Sequence, residues 1–416
     1  MPIRLPALGM GIFKGVSIQF LHRILPKLFL GKARDPRVNR EASRLYVKIA
    51  EIDYFRNETM FMLYEALSNL NAAESLGPSL ELAGAYAALG LICGFIPLPG
   101  LAENYMRLSL ATIEAGNQPA EIGEIYEYYG IYKAGAGQLE AANKAFQYAV
   151  DAFERIGDKR LWEENATLLS MVLMPQGEIE RSAQLREQLY KVGVERGSTS
   201  TQCWSLLGQA EIAVLRGQFE TVTDCLEKAG PLAEEIGVGE KIWHQGLLAR
   251  VYWRQGRHEL AEQAAEKTAG LTAKAVPVNF YALEGYGSQA EVYLRILESV
   301  NGSESIRQAA RQSIKAVDKF ARVFPLGQSR ALIWKGLYHW LTGKVSQAHV
   351  FWRNGLAVAQ ERSLFYDQAL AHYEIGRHLT DDDPLRRKHL QQALEIFDQL
   401  GAIYDRSEVQ STMDRS

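Results

Sequence analysis

The side chains that most often carry chemistry are present, but not in spacings that build a catalytic centre. The eight histidines are His22, His244, His258, His339, His349, His372, His378 and His389, and no HExxH occurs. His372 and His378 share the segment AHYEIGRH. Their six-residue separation puts them on different faces of a helix, whereas a helical zinc site needs ligands at i and i+4. Cys93, Cys203 and Cys225 are odd in number, widely spaced and without a CxxC. That spacing disfavours a disulfide scaffold and a thiolate zinc site, and it fits a reduced, cytoplasmic setting. Glu163-Glu164 falls early in an expected helix, where negative charge is favourable, and Asp381-Asp382-Asp383 reads as a turn capping the next helix. There is no GxSxG, and no GxxxxGK[ST] whose backbone amides could cradle a phosphate. Gly9, Gly11 and Gly15 have the wrong spacing for such a loop and read as a flexible linker. No catalytic residue, metal or cofactor is therefore expected.

The elements that must position any binding residues are helices. Hydrophobic residues make up 47% of 416 and charged residues 23%, enough for a large core, which excludes global disorder. With 46 basic against 49 acidic residues, the chain lacks the basic surplus of a general nucleic-acid binder. From about residue 38 onward, stretches rich in Ala, Leu, Glu, Gln and Arg alternate with short breaks, and strand patterns are nearly absent. The breaks include Gly77-Pro78, Gly116-Asn117, Gly157-Asp158 and Gly197-Ser198. Gly137, Gly177, Gly217 and Gly256 lie 40, 40 and 39 residues apart, and Gly343 follows 87 later, with Asn301-Gly302 midway. A fixed period near 40 made of helix pairs predicts a solenoid. Leu82 to Ala102 is a run of 21 uncharged residues, but Pro97 and Pro99 cut it and small residues fill it. It reads as a buried central helix rather than a membrane span.

The side chains around these turns resemble the tetratricopeptide repeat. Tyr129-Gly130 precedes Gly137, and Ala142, Phe146 and Ala149 follow it. Leu248, Ala249, Tyr252 and Ala261 surround Gly256; Gly336, Ala348 and Trp352 surround Gly343; Ala210, Leu226 and Ala229 surround Gly217. Near Gly177 the fit is poor, because Ser182 and Arg186 stand where a small and an aromatic residue are expected. The resemblance implies an all-α solenoid, a right-handed superhelix of antiparallel helix pairs whose first helices line a concave groove. In that register the groove positions are Glu124, Glu127, Glu164, Trp204, Glu211, Trp243, Arg250, Trp253, Arg330, Ile333, Leu337 and Trp340. Tryptophan and arginine suit recognition of a protein or peptide, although tryptophan on such a helix also serves as inter-repeat core.

Three segments are expected: an arm over 1–35, a first solenoid part over 36–300 and a C-terminal part over 301–416. Residues 1–34 hold Arg4, Lys14, Arg23, Lys27, Lys32 and Arg34 and no acid. Val16, Phe20, Ile24 and Leu28 recur every four residues, an amphipathic helix that Pro26 kinks or ends. Arg4, Lys14, Arg23 and Lys27 would dock the arm on an acidic neighbour; the alternative is a peripheral adaptor lying on a membrane surface.

Several stretches resemble the C-terminal helical region of modular bacterial signalling proteins that join a class III adenylate or guanylate cyclase domain to a P-loop ATPase. They are HRILPKLF (22–29), REASRLYVKIAEIDYFRNE (40–58), LNAAESLGPSLELAGAYAALG (70–90), GDKRLWEEN (157–165), HYEIGRHL (372–379) and HLQQALEIFDQLGAIYD (389–405). The resemblance implies a sensor or regulatory tail acting in trans on a nucleotidyl cyclase or P-loop ATPase. No position matches a catalytic residue of either domain, so none is carried over.

Overall fold

The computed structural model describes residues 5–56, 58–113, 118–299 and 303–415. Arg4 and the breaks at Gly116-Asn117 and Asn301-Gly302 lie outside the described residues. Among the described residues there is no strand. The helices are α1 Leu5–Ile24, α2 Pro26–Phe29, α3 Pro36–Phe55, α4 Thr59–Glu74, α5 Leu80–Phe95, α6 Pro99–Ile113, α7 Pro119–Gly135, α8 Leu139–Ile156, α9 Lys159–Leu173, α10 Ile179–Arg196 and α11 Thr199–Leu215. There follow α12 Phe219–Ile236, α13 Val238–Arg254, α14 His258–Lys274, α15 Leu283–Ser299, α16 Glu304–Val323, α17 Gln328–Leu341, α18 Val345–Glu361, α19 Phe365–Arg377, α20 Pro384–Gln399 and α21 Ile403–Asp414.

The periodicity has a backbone cause. Gly137, Gly177, Gly217, Gly256 and Gly343 all have φ between 66° and 79°. That left-handed conformation ends the first helix of each pair and is strained for any residue with a Cβ. Small residues then let paired helices close. A Cβ on Gly130 would sit 2.6 Å from the Phe146 ring, and one on Gly336 would sit 2.5 Å from the Trp352 indole. Both rings are fully buried. Each therefore contributes a few kcal/mol, about 1.5–3 for a Phe-sized side chain, but only because a glycine faces it. α5 behaves as expected of a buried helix: Ala83, Ala85, Ala87, Leu89 and Ile92 are inside. Among the described residues no helix is long and apolar enough to cross a membrane.

The chain divides into two compact units, Met1–Lys133 with Lys144–Asn165, and Ala134–Asn143 with Ala166–Ser416. The boundary expected near residue 300 falls inside the second unit, where α15 packs on α16. In the first unit, Gly11 and Gly15 are not a linker. They lie within α1, pressed against Tyr64 and Leu67 of α4, where the missing side chains permit a close helix crossing.

The second unit curls back on itself. Ile179 of α10 and Ile212 and Leu215 of α11 share one core with Ala369 and Tyr373 of α19, Leu390 and Phe397 of α20, and Leu400 just beyond it. Phe365 N donates to Pro175 O at 3.3 Å across this seam. Arg254 Nη2 donates to Asp405 Oδ1 of α21 at 2.8 Å. The expected open groove is here drawn nearly shut.

Candidate functional site

Closing that seam leaves a cavity of about 100 Å³ inside the second unit. The first helices of successive pairs supply its polar wall: Glu211 from α11, Trp243 and Arg250 from α13, Glu284 from α15, Arg330 from α17, and Tyr366 with Asp367 from α19. Arg186 enters from α10, and Met171, Leu215, Leu283 and Leu364 are among the apolar lining. The repeat fold generates this convergence. Equivalent positions on stacked first helices face the same interior, and Trp243 and Arg250, seven residues apart, share one face of α13.

The polar wall is a chain of buried ion pairs. Arg250 Nε donates to Glu291 Oε2 at 2.9 Å, and its Nη1 donates to Glu284 Oε2 at 2.7 Å. Arg330 Nη2 lies 3.2 Å from Glu284 Oε1, and its Nε donates to Asp367 Oδ1 at 2.7 Å. Burial pushes the Glu284 carboxyl up, but the Arg330 and Arg250 guanidiniums outweigh burial and hold its pKa at about 2. Glu211 behaves oppositely. Burial and then the charge of Glu284 raise it to about 8, against only partial relief from Arg186 and Arg250. It is therefore a neutral acid at neutral pH. Arg186 donates from Nη1 to Trp204 O at 3.2 Å and from Nε to Ser182 Oγ at 3.2 Å, and burial lowers its pKa to about 10.

Two donors in this wall have no acceptor. Trp243 is 1% exposed and Arg250 3%, yet Trp243 Nε1 and Arg250 Nη2 make no hydrogen bond. Leaving such a group unmade costs about 1–3 kcal/mol, more when charged. The cavity is therefore largely apolar with one polar wall, and that wall carries two donors without acceptors. The arrangement presents no activated nucleophile. The three cysteines are buried, and burial raises each thiol pKa. Among the described residues no cluster of three or more His, Cys, Asp or Glu side chains could hold a metal.

The structure brings together Glu211, Trp243, Arg250 and Arg330 of the residues expected to line the groove. The others lie elsewhere. Trp204 donates from Nε1 to Glu240 Oε1 at 2.9 Å and its ring faces Tyr281. Trp253 lies 4.5 Å from the His258 ring, tilted by 54° to it, and lines a separate cavity of about 420 Å³ with Arg254, Arg295 and Arg377. Trp340 sits in an aromatic cluster with Trp352 and His378. Ile333 and Leu337 do not face a groove: both are fully buried core residues. Glu124, Glu127 and Glu164 belong to the first unit. There Asn165 Nδ2 donates to Glu127 Oε2 at 2.7 Å, and Arg160 pairs with Glu164 at 2.8 Å. Burial, then the Glu164 charge, raises Glu127 to about 8.

Sequence reasoning missed Arg186, Tyr281, Glu284, Tyr366 and Asp367 as site residues. A signal for two of them was present. Glu284 follows Arg250 by 34 residues and Asp367 follows Arg330 by 37, so an acid stands about one repeat beyond each groove arginine.

No protein-family model matches the chain, and no curated protein sequence matches it. Solved structures do. The crystal structure of a Rap protein complexed with competence and sporulation factor aligns over 92% of this chain and 99% of that one, at 12% identity and a TM-score of 0.62. The yeast Tom70 structure aligns with the same coverage and identity at a TM-score of 0.28. At such identity the likeness to the Rap protein is one of fold, and it agrees with the helix pairs and turn glycines above. The chain is an all-α, tetratricopeptide-like helical-repeat protein.

Proposed function

We propose that this is a non-enzymatic binding protein that captures a short segment of a peptide or partner protein in the α11–α19 cavity, and that capture serves a regulatory role in signal transduction. The observation that carries the reading is the pair of buried donors without acceptors, Trp243 Nε1 and Arg250 Nη2. A backbone carbonyl or a carboxylate oxygen completes them. The apolar lining takes one side chain of the same segment, since about 100 Å³ is less than the volume that admits a small aromatic molecule. The neutral Glu211 adds a proton donor without adding negative charge. The Rap protein of similar fold was crystallised with a bound factor, which supports a binding role for the architecture. The stretches that resemble the tails of cyclase–ATPase proteins make a nucleotidyl cyclase or a P-loop ATPase the class of partner to test first.

The test uses a displayed library of random peptides. Peptides selected on the native chain are measured against Trp243→Phe, which keeps an aromatic ring and removes the donor, and against Trp340→Phe as a control outside the cavity. Loss of one buried hydrogen bond predicts about a tenfold weakening with Trp243→Phe alone. Equal affinity for both variants, or no selected peptide from a well-folded sample, overturns the reading.

A further inference from the structure

We propose that α1 holds the protein on an anionic lipid surface. The helix is amphipathic in the inverted sense. At about 100° per residue, Leu8, Gly11, Gly15, Gln19 and His22 occupy one narrow arc of its circumference, which faces the body. That inward arc is partly polar: Gln19 Nε2 donates to Asn71 Oδ1 and to Glu74 Oε2, each at 2.7 Å, and His22 Nδ1 pairs with Glu74. Gln19 is 5% exposed and His22 9%.

The opposite arc is open and apolar except for Ser17, whose hydroxyl donates to Phe13 O within the helix. Met10, Phe13, Val16, Phe20, Leu21 and Ile24 lie within about 140° of one another. Phe13 is 75% exposed and Phe20 65%, and Leu25 and Leu28 extend the exposed stripe through α2. A monomeric soluble protein rarely presents so continuous an apolar face without a use for it. Burying polar groups inward while turning phenylalanines outward is unfavourable in water and favourable when the outer medium is hydrocarbon.

Charge selects the occupant. Lys14 lies at one edge of the apolar arc; Arg23, at the other, is held over the Tyr105 ring of the body, and Lys27, Lys32 and Arg34 follow, with no acid before Asp35. A second copy of the chain would bring this basic rim against an identical one. Anionic headgroups complement it, and lysine and arginine stems can lie along the acyl boundary with their charges in the headgroup layer. The partner is therefore a lipid surface with acidic headgroups, independent of what the cavity of the second unit binds.

Vesicles of phosphatidylcholine, alone or with one third phosphatidylserine, are sedimented with the full chain, with Phe13→Ser/Phe20→Ser and with Lys14→Gln/Lys27→Gln. The altered residues are exposed, so native helicity and melting are expected in both variants, and circular dichroism checks this. The expected result is binding to the anionic vesicles alone, weakened by salt. The phenylalanine pair should lose it, and the lysine pair should weaken it about twenty-five-fold, from roughly fivefold per cation. Equal binding to both vesicle types, or none to either by a folded native chain, overturns the proposal. So does a concentration-dependent dimer that the phenylalanine variant abolishes while lipid binding is absent.

Discussion

Replacing Glu211 by glutamine should stabilise the second unit in a pH-dependent way. Glu211 is 8% exposed and accepts no hydrogen bond among the described residues. Its pKa rises from 4.5 to about 8, burial being the largest cause and Glu284 the next. The folded state thus binds a proton that the unfolded chain releases. Between about pH 4.5 and about pH 8 the native chain holds more protons than the unfolded chain, so stability falls as pH rises. The slope is about 1.4 kcal/mol per pH unit for a single group, and the accumulated cost near neutral pH is on the order of 3 kcal/mol. Glutamine has the same shape and no proton to lose. The stability difference between Glu211→Gln and the native protein should therefore be small near pH 5, grow steadily with pH, and level off above about pH 8. Urea unfolding followed by tryptophan emission at a series of pH values measures it. A difference that stays constant across that window, or a native protein that gains on the variant as pH rises, would refute both the neutral acid and its cause.

Two further expectations test the packing and the ion-pair wall. A Cβ on Gly246 would come within 2.5 Å of the Gly285 Cα, backbone against backbone, whereas one on Gly270 meets nothing within 4 Å. Gly246→Ala should destabilise by about 1–3 kcal/mol or more and Gly270→Ala should stabilise by up to about 1 kcal/mol, read from thermal melts. Arg330→Gln strands Asp367 and loosens Glu284, so denaturant unfolding should show a loss of about 3–5 kcal/mol; a loss below about 1 kcal/mol would mean the carboxylates find water instead.

The fold was legible because repeat architecture writes itself locally. A left-handed glycine must appear wherever the first helix of a pair turns into the second, and a small residue must appear wherever a ring crosses a backbone. Gly137, Gly256 and Gly343 carry the first requirement; Gly130 with Phe146 and Gly336 with Trp352 carry the second. Both can be read over a few residues. The direction in which α1 faces could not be read in that way. Its apolar stripe at Val16, Phe20, Ile24 and Leu28 is the ordinary signature of a buried face, yet those residues are exposed. The helix docks instead through glycines and a glutamine–histidine–glutamate contact, which carry no hydrophobic signal.

The site was legible only where it coincided with the repeat register. Glu211, Trp243, Arg250 and Arg330 occupy first-helix positions and reach the cavity for that reason. Arg186 is different. It stands where the pattern expects an aromatic ring, and its guanidinium lies against Gly208, in the space the small residue opens for that ring. A ring there would have completed an apolar core. A buried cation instead acts on Glu211 and adds to the cavity's one polar wall. The worst match to the repeat is therefore part of the wall. Cavity volume depends equally on contacts no local pattern encodes: Leu400 lies some 220 residues beyond Ile179, and both belong to the core that shuts the seam. Arg254 with Asp405 adds an ion pair joining α13 to α21, and removing either partner would leave the other buried and unpaired, a costly change.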